Sequence, residues 1–174
     1  MLNEPGVGLR SMRMSPRNFY TGISCSSSMR KVIVVKPTKE DFPQVFSLLQ
    51  QLWVDKSLDK DKIRKAFETG LVNSQQEYRI AVCSSRTVGF ASLNIRNSLW
   101  QEGSLGHLDE LVVDERFRKR GIGTRLLDEM TKIAKARLCR KIELDSAFHR
   151  KEAHEFYIKQ GFENRAYVFS KDLY

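Results

Sequence analysis

The stretch GHLDELVVDERFRKRGIGTRLLDEMTKIAKARLCRKIELDS constrains the fold more than any other part of the chain. It opens as an apolar strand-like run and passes through a basic turn holding Gly121 and Gly123. A segment from Gly121 to about Arg137 follows, in which Leu126, Leu127, Met130 and Ile133 recur at helical spacing. KIELDS then reads as a second strand. Two strands joined through a helix of that length lie parallel in one sheet, with a right-handed crossover. A parallel pair must be covered by helices, so the class is α/β or α+β.

The flanking sequence fills in the remaining elements. KVIVVK is a short β-branched strand, and Thr38 is placed to cap the helix EDFPQVFSLLQQLW, with Asp41 in its first turn. Val45, Leu48, Leu49 and Leu52 mark that helix's core face, and Pro43 is tolerated because it falls in the first turn. A second helix runs from about 60 to 70 and stops at Gly70. EYRIAVCS and TVGFASLNI alternate as strands around a Ser85-Arg86 turn, and Asn97 to Ser104 reads as a loop. After KIELDS, RKEAHEFYIKQG is a helix stopped by Gly161, and NRAYVFSKDL is a closing strand or pair of strands.

Composition narrows the function only a little. The 174 residues are 41% hydrophobic and 29% charged, as expected of a soluble globular domain. No run approaches the roughly 18 apolar residues of a membrane span. Cys25, Cys83 and Cys139 have no metal-ligand spacing and read as thiols of a reducing compartment, which implies a cytoplasmic location and no metal. The formal charge of +9 favours anionic partners without selecting one.

Residues 1–28 are rich in Ser, Gly, Pro and Arg and carry one acid, Glu4. They read as a disordered leader or a mis-assigned start, since Met29 directly precedes the first strand. A mobile arm and an organellar transit peptide are the alternatives. The folded domain is expected over 29–174.

At the basic turn, Gly121 and Gly123 let another molecule approach the main chain, and the first-turn amides of the following helix point outward. Arg116, Arg118, Lys119 and Arg120 can neutralise phosphate, and Thr124 adds a hydroxyl. A P-loop would need GxxxxGK[ST], and a dinucleotide fingerprint would need a third glycine where Leu126 stands. Taken alone, the turn is equally well a solvated basic loop at a helix start.

Two segments together resemble the GNAT superfamily of N-acetyltransferases. Arg118, Gly121 and Gly123 match its R-x-x-G-x-G, after a strand ending in valine and an acid. Ala153, Phe156, Tyr157, Gly161 and Phe162 match a second signature, A-x-x-F-Y-x-x-x-G-F, one strand further on. The likeness covers about 31–174 and is strongest toward small-amine and aminoglycoside-type members. It implies a mixed, mostly antiparallel sheet with a central parallel strand pair splayed for acetyl-CoA, and helices on both faces.

The same resemblance assigns roles. Acetyl-CoA is the cosubstrate, held by the strand backbone of Leu111, Val112 and Val113 and by Arg118, Lys119, Arg120, Gly121, Ile122, Gly123 and Thr124. Tyr157 is the general acid for the departing thiolate, a phenol of ordinary pKa about 10 being matched to that group. Asp109 and Glu110 stand where related polyamine acetyltransferases carry acids near the acceptor amine. Strict alternation would put them on opposite faces, so a bulge is expected to turn both toward the acceptor. Glu143 and Asp145 add a second acidic pair, and His107 is an alternative base. Arg150 replaces the asparagine of some members, which puts the usual amide contact in doubt and leaves a phosphate contact as the alternative.

The function implied is direct acetyl transfer to a primary amine of a small cationic molecule. A protein amino terminus or lysine, and a non-catalytic acyl-CoA-binding domain, are the alternatives. Nucleic acid is disfavoured because only Phe117 interleaves with the basic run. No membrane partner is expected, and a homodimer is left open.

Overall fold

A computed structural model of the chain describes residues 23, 24 and 31–173. Strands β1 (Ile23–Ser24) and β2 (Lys31–Val35) precede helices α1 (Phe42–Leu52) and α2 (Lys60–Val72). Strands β3 (Gln76–Cys83), β4 (Arg86–Ser98) and β5 (Gly103–Val113) follow, then α3 (Ile122–Ala136), β6 (Cys139–Leu144) and α4 (Lys151–Lys159). The strands form one sheet in chain order. All neighbours are antiparallel except β5 and β6, which are parallel as the strand–helix–strand pattern requires.

Period-two alternation along the strands builds a core on each face. Ala81, Val88, Ala91 and Leu93 meet Leu126, Leu127, Met130 and Ala134 of α3. Ile80, Phe90 and Val112 point the other way, onto Phe42, Val45, Phe46, Leu48 and Leu49 of α1 and Phe67 of α2. Burying each such side chain contributes about 1.5–3 kcal/mol. Leu126, Leu127 and Met130 are fully enclosed, so the helix carrying the glycine turn is anchored through its leucines.

Several local expectations are corrected. Thr38 acts one turn ahead of α1: it is the N-cap of the 3-10 turn Lys39–Asp41 that leads into the helix, with its amide and hydroxyl donating to the Asp41 carboxylate at 2.8 and 3.1 Å. Gly70 does not stop α2, which runs on to Val72. A Cβ at position 70 would press into the Tyr78 ring, so this glycine makes room for a tyrosine. The β3–β4 turn is Ser84-Ser85, with φ of 50° and 63°, and Arg86 already pairs with Cys83. Positive φ at both positions suits a two-residue hairpin following the strand twist. The expected loop at 97–104 is shorter: Asn97 and Ser98 pair with Ser104 and Gly103, which leaves 99–102 as the turn.

The closing strand is absent: residues 162–173 have no regular secondary structure. The parallel pair consequently lies at the end of the sheet, with β6 as the last strand, and not at its centre. The reading of 1–28 lies outside the described residues, apart from Ile23 and Ser24, whose backbones pair with Val32 and Lys31. Among the described residues, no helix is long and apolar enough to cross a membrane.

Candidate active site

β5 leaves the sheet at Asp114, a buried acid that organises the turn after it. Asp114 accepts from the Arg116 amide at 3.1 Å and from the Arg116 guanidinium at 3.0 and 2.8 Å. Arg86 adds a bond at 3.4 Å. The Arg116 hydrogen bonds hold the Asp114 carboxyl below its usual range, burial opposing them. Arg116 is thereby committed to the fold. Arg118 donates through Nε to the Val113 carbonyl at 3.1 Å, Arg120 lies 5.4 Å over the Phe117 ring, and Lys119 is exposed.

Lys119 (φ 59°) and Gly121 (φ 74°) are both left-handed, and Gly121 caps α3. A left-handed residue leading into helical ones turns successive amides toward one point, forming an anion-binding concavity. The first-turn amides of α3 have no partner within the helix, and its dipole adds positive potential. Donor set and charge thus fit a pyrophosphate. Ile122 and Val112 bury their side chains in opposite cores, which leaves only their backbones for a ligand.

The expected splay is present. β5 pairs with β4 as far as Val113, but its pairing with β6 ends at Leu108 and Leu144. From Asp109 onward the side of β5 turned toward β6 is open, and a cleft of about 2580 Å³ begins there. α4 closes the cleft from the other side. A Cβ on Gly123 would lie 3.6 Å from the Phe156 ring and 3.8 Å from Val113, which places the second signature against the first. Tyr157 packs edge-on against Phe156 and Phe162, with ring centres 5.3 and 5.7 Å away. Burial pushes its hydroxyl pKa up, and Arg150 partly opposes this. Arg150 itself donates to the Leu52 carbonyl at 2.7 Å, tying the start of α4 to the end of α1 instead of standing free for a phosphate.

The acidic pair sits on a bulge. Glu110 pairs with Ser92 and Leu108 with Leu93, so Asp109 has no opposite number on β4. The extra residue brings both carboxylates to the face carrying Tyr78. Asp109 accepts from Gln76 at 3.3 Å and meets His107 Nδ1 at 2.9 Å, while Glu110 accepts from the Ser92 hydroxyl. Burial raises the Glu110 pKa, the Ser92 bond opposes this, and Asp109 raises it further. The Tyr78 phenol is pushed up to about 12, first by burial and then by Glu110 and Asp109. His107 is raised chiefly by its bond to Asp109, against burial, and its Nε2 lies 3.5 Å from Asp145. Glu143 is held by Arg96 at 2.7 Å.

The sequence and the fold match known proteins. Residues 42–162 fit the model of the Acetyltransferase (GNAT) family. The chain belongs to this family. It is 30% identical over 136 residues to the aminoalkylphosphonate N-acetyltransferase of Salmonella typhimurium, covering 78% of this chain and 88% of that one. It is 29% identical over 129 residues to the glucosamine 6-phosphate N-acetyltransferase of Arabidopsis thaliana, covering 71% and 84%. In fold, it superposes on an aminoglycoside N-acetyltransferase in complex with CoA with a TM-score of 0.75, at 19% identity over 85% of this chain and 99% of that one. A crystal structure of the Arabidopsis thaliana glucosamine-6-phosphate N-acetyltransferase gives a TM-score of 0.70 at 24% identity, covering 82% and 98%.

In this GNAT acyltransferase, Gln76, Tyr78 and Ser92 surround the acidic pair, yet nothing local in the sequence singled them out. Their signal lies in strand register, which sets Gln76 against Asn94 and Ser92 against Glu110.

Proposed function

We propose that this N-acetyltransferase moves the acetyl group of acetyl-CoA directly to a primary amine of a small cationic molecule. The observation that carries this reading is the convergence of three features on one cleft: the α3 amide cradle, Tyr157 and Asp109 of the bulged pair. When bound, acetyl-CoA supplies the activated acetyl group. The backbone of 121–124, with Lys119 and Arg120, holds its pyrophosphate. The open side of β5 at Leu111, Val112 and Val113 receives the extended arm, with Arg118 swinging from the Val113 carbonyl toward phosphate.

An amine must lose a proton to become a nucleophile. The carboxylates of Asp109 and Asp145 attract a cationic acceptor, and the Asp109–His107 pair takes the proton it sheds. Burial raises the Glu110 pKa and so favours its protonated form. Tyr157, kept protonated by burial, delivers a proton to the departing sulfur. The names of the relatives direct the acceptor panel: aminoalkylphosphonates, glucosamine 6-phosphate and aminoglycosides.

The test is thiol release from acetyl-CoA with that panel and simple polyamines, for wild type and Tyr157→Phe. At least one small amine should turn over, and the variant should lose kcat by about 10²-fold or more while KM for acetyl-CoA changes little. Coenzyme A binding without turnover on any amine refutes the reading. Full activity in Tyr157→Phe removes Tyr157 from its role.

A further inference from the structure

The last carbonyls of a helix have no partner inside it, and the dipole makes that end negative. The last turn of α1 holds no basic residue of its own to answer this. Its Leu52 carbonyl is met instead by Arg150, which donates to it through Nη2 at 2.7 Å across 98 residues of chain. Leu52, Trp53, Arg150 and Tyr157 all line the cleft, the first two from the end of α1 and the last two from the start and body of α4. The guanidinium therefore joins two elements that face one cavity.

Arg150 is also the residue on which α4 begins. Its carbonyl accepts from the amides of Ala153 and His154, each at 3.1 Å. The helix that follows is thinly held, and none of its residues is fully buried. Phe156 and Tyr157, toward its end, pack on the core, whereas Lys151 and Glu152 at its start are exposed. His154 Nε2 lies 3.0 Å from the Ala147 carbonyl, but that contact stays within the loop leading into the helix. The bond to Leu52 ties the same end to a different part of the fold. Tyr157 stands about two turns beyond Arg150, so a tilt at the helix start moves its hydroxyl. The charge of Arg150 reaches Tyr157 as well, drawing its pKa down against the larger effect of burial.

We propose that Arg150 is a positioning residue: it braces the end of α1 against the start of α4 and so holds Tyr157 where the departing sulfur must meet it. Without the brace the Leu52 carbonyl is left to water and the start of α4 is free to tilt. The effect falls on proton delivery and spares cofactor binding, because the amide cradle belongs to α3, which its enclosed leucines anchor separately. The role of Tyr157 rests on the acetyl-transfer reading, whereas the brace itself rests on the bond between the two helices.

The experiment compares the full chain with Arg150→Gln and Arg150→Lys. Three quantities are read: kcat with the best amine of the panel, coenzyme A affinity by isothermal titration, and amide hydrogen exchange at 53–56 and 151–157. Arg150 is only half-buried, so both variants keep the core. Glutamine is shorter and uncharged, and it should lose kcat by about 10–10²-fold, as a misplacement on the ångström scale does. Its coenzyme A affinity should stay that of the wild type, and exchange should quicken in both segments. Lysine keeps the charge and a donor on a long stem, and should recover most of the kcat and the slow exchange. A glutamine variant that binds coenzyme A more weakly yet keeps its kcat places Arg150 on a phosphate and overturns the proposal. Unchanged exchange overturns it by denying the brace, and faster exchange with unchanged kcat by making the brace structural only. A wild type that binds coenzyme A but acetylates no amine refutes the acetyl-transfer reading instead, and the exchange rates then decide whether the brace exists.

Discussion

Replacing Gly70 with alanine sets two physical effects against each other. Gly70 lies inside α2, where alanine is favoured over glycine by about 1 kcal/mol of helix propensity. Helix content alone therefore makes Gly70→Ala stabilising. In the folded protein the new methyl would fall 2.5 Å from Cζ and 2.7 Å from Cε2 of Tyr78, and closer still to its hydroxyl. The ring cannot simply swing aside: it stacks on Phe67 at 5.4 Å with planes 3° apart and meets Phe90 at 5.5 Å. Overpacking of this kind costs about 1–3 kcal/mol, and with the ring held on two sides the upper part of that range applies. The net expectation is a destabilisation of about 1–2 kcal/mol, read from urea midpoints at unchanged m. Tyr78→Phe should restore little, because the ring carbons still collide. In a Tyr78→Ala background the collision is gone and Gly70→Ala should become stabilising. A Gly70→Ala protein as stable as wild type, or more so, refutes the packing argument.

Glu110→Gln should gain stability relative to wild type as pH rises. The folded-state pKa of Glu110 is raised, so its favourable contribution is complete below the ordinary 4.5 and is lost as pH climbs through the raised value. Urea midpoints measured from pH 4 to 8 check this, and a difference independent of pH contradicts it. Gly121→Val forces a β-branched residue into a left-handed cap, at about 1–2 kcal/mol of strain. It should raise KM for acetyl-CoA several-fold while leaving KM for the amine nearly unchanged. Isothermal titration with coenzyme A gives the same answer without turnover, and unchanged affinity would separate the α3 cradle from cofactor binding.

What could be read in advance followed distance along the chain. The strand–helix–strand unit, the core leucines of α3, the glycine cap and the Ala153–Phe162 signature are local patterns, with periodicity and backbone angle written in neighbouring residues. The bulge under Asp109 and Glu110 was expected from resemblance, and the strand register contains one there. Tyr78 against Gly70 and Arg150 on the Leu52 carbonyl, 98 residues apart, have no local sign. Gly70 shows why: glycine near a helix end looks like a stop signal, and only the neighbouring strand reveals that it makes space. NRAYVFSKDL has the composition of a strand, but a strand exists only with a partner to bond to, and residues 162–173 pair with none of the described strands. Sequence alone determined most of the helices and strands and marked the Gly121-Gly123 turn as the expected anion site. Tertiary structure decided which carboxylate is buried, which arginine is free to meet a phosphate and which sheet edge stays open, because each depends on groups that only folding brings together.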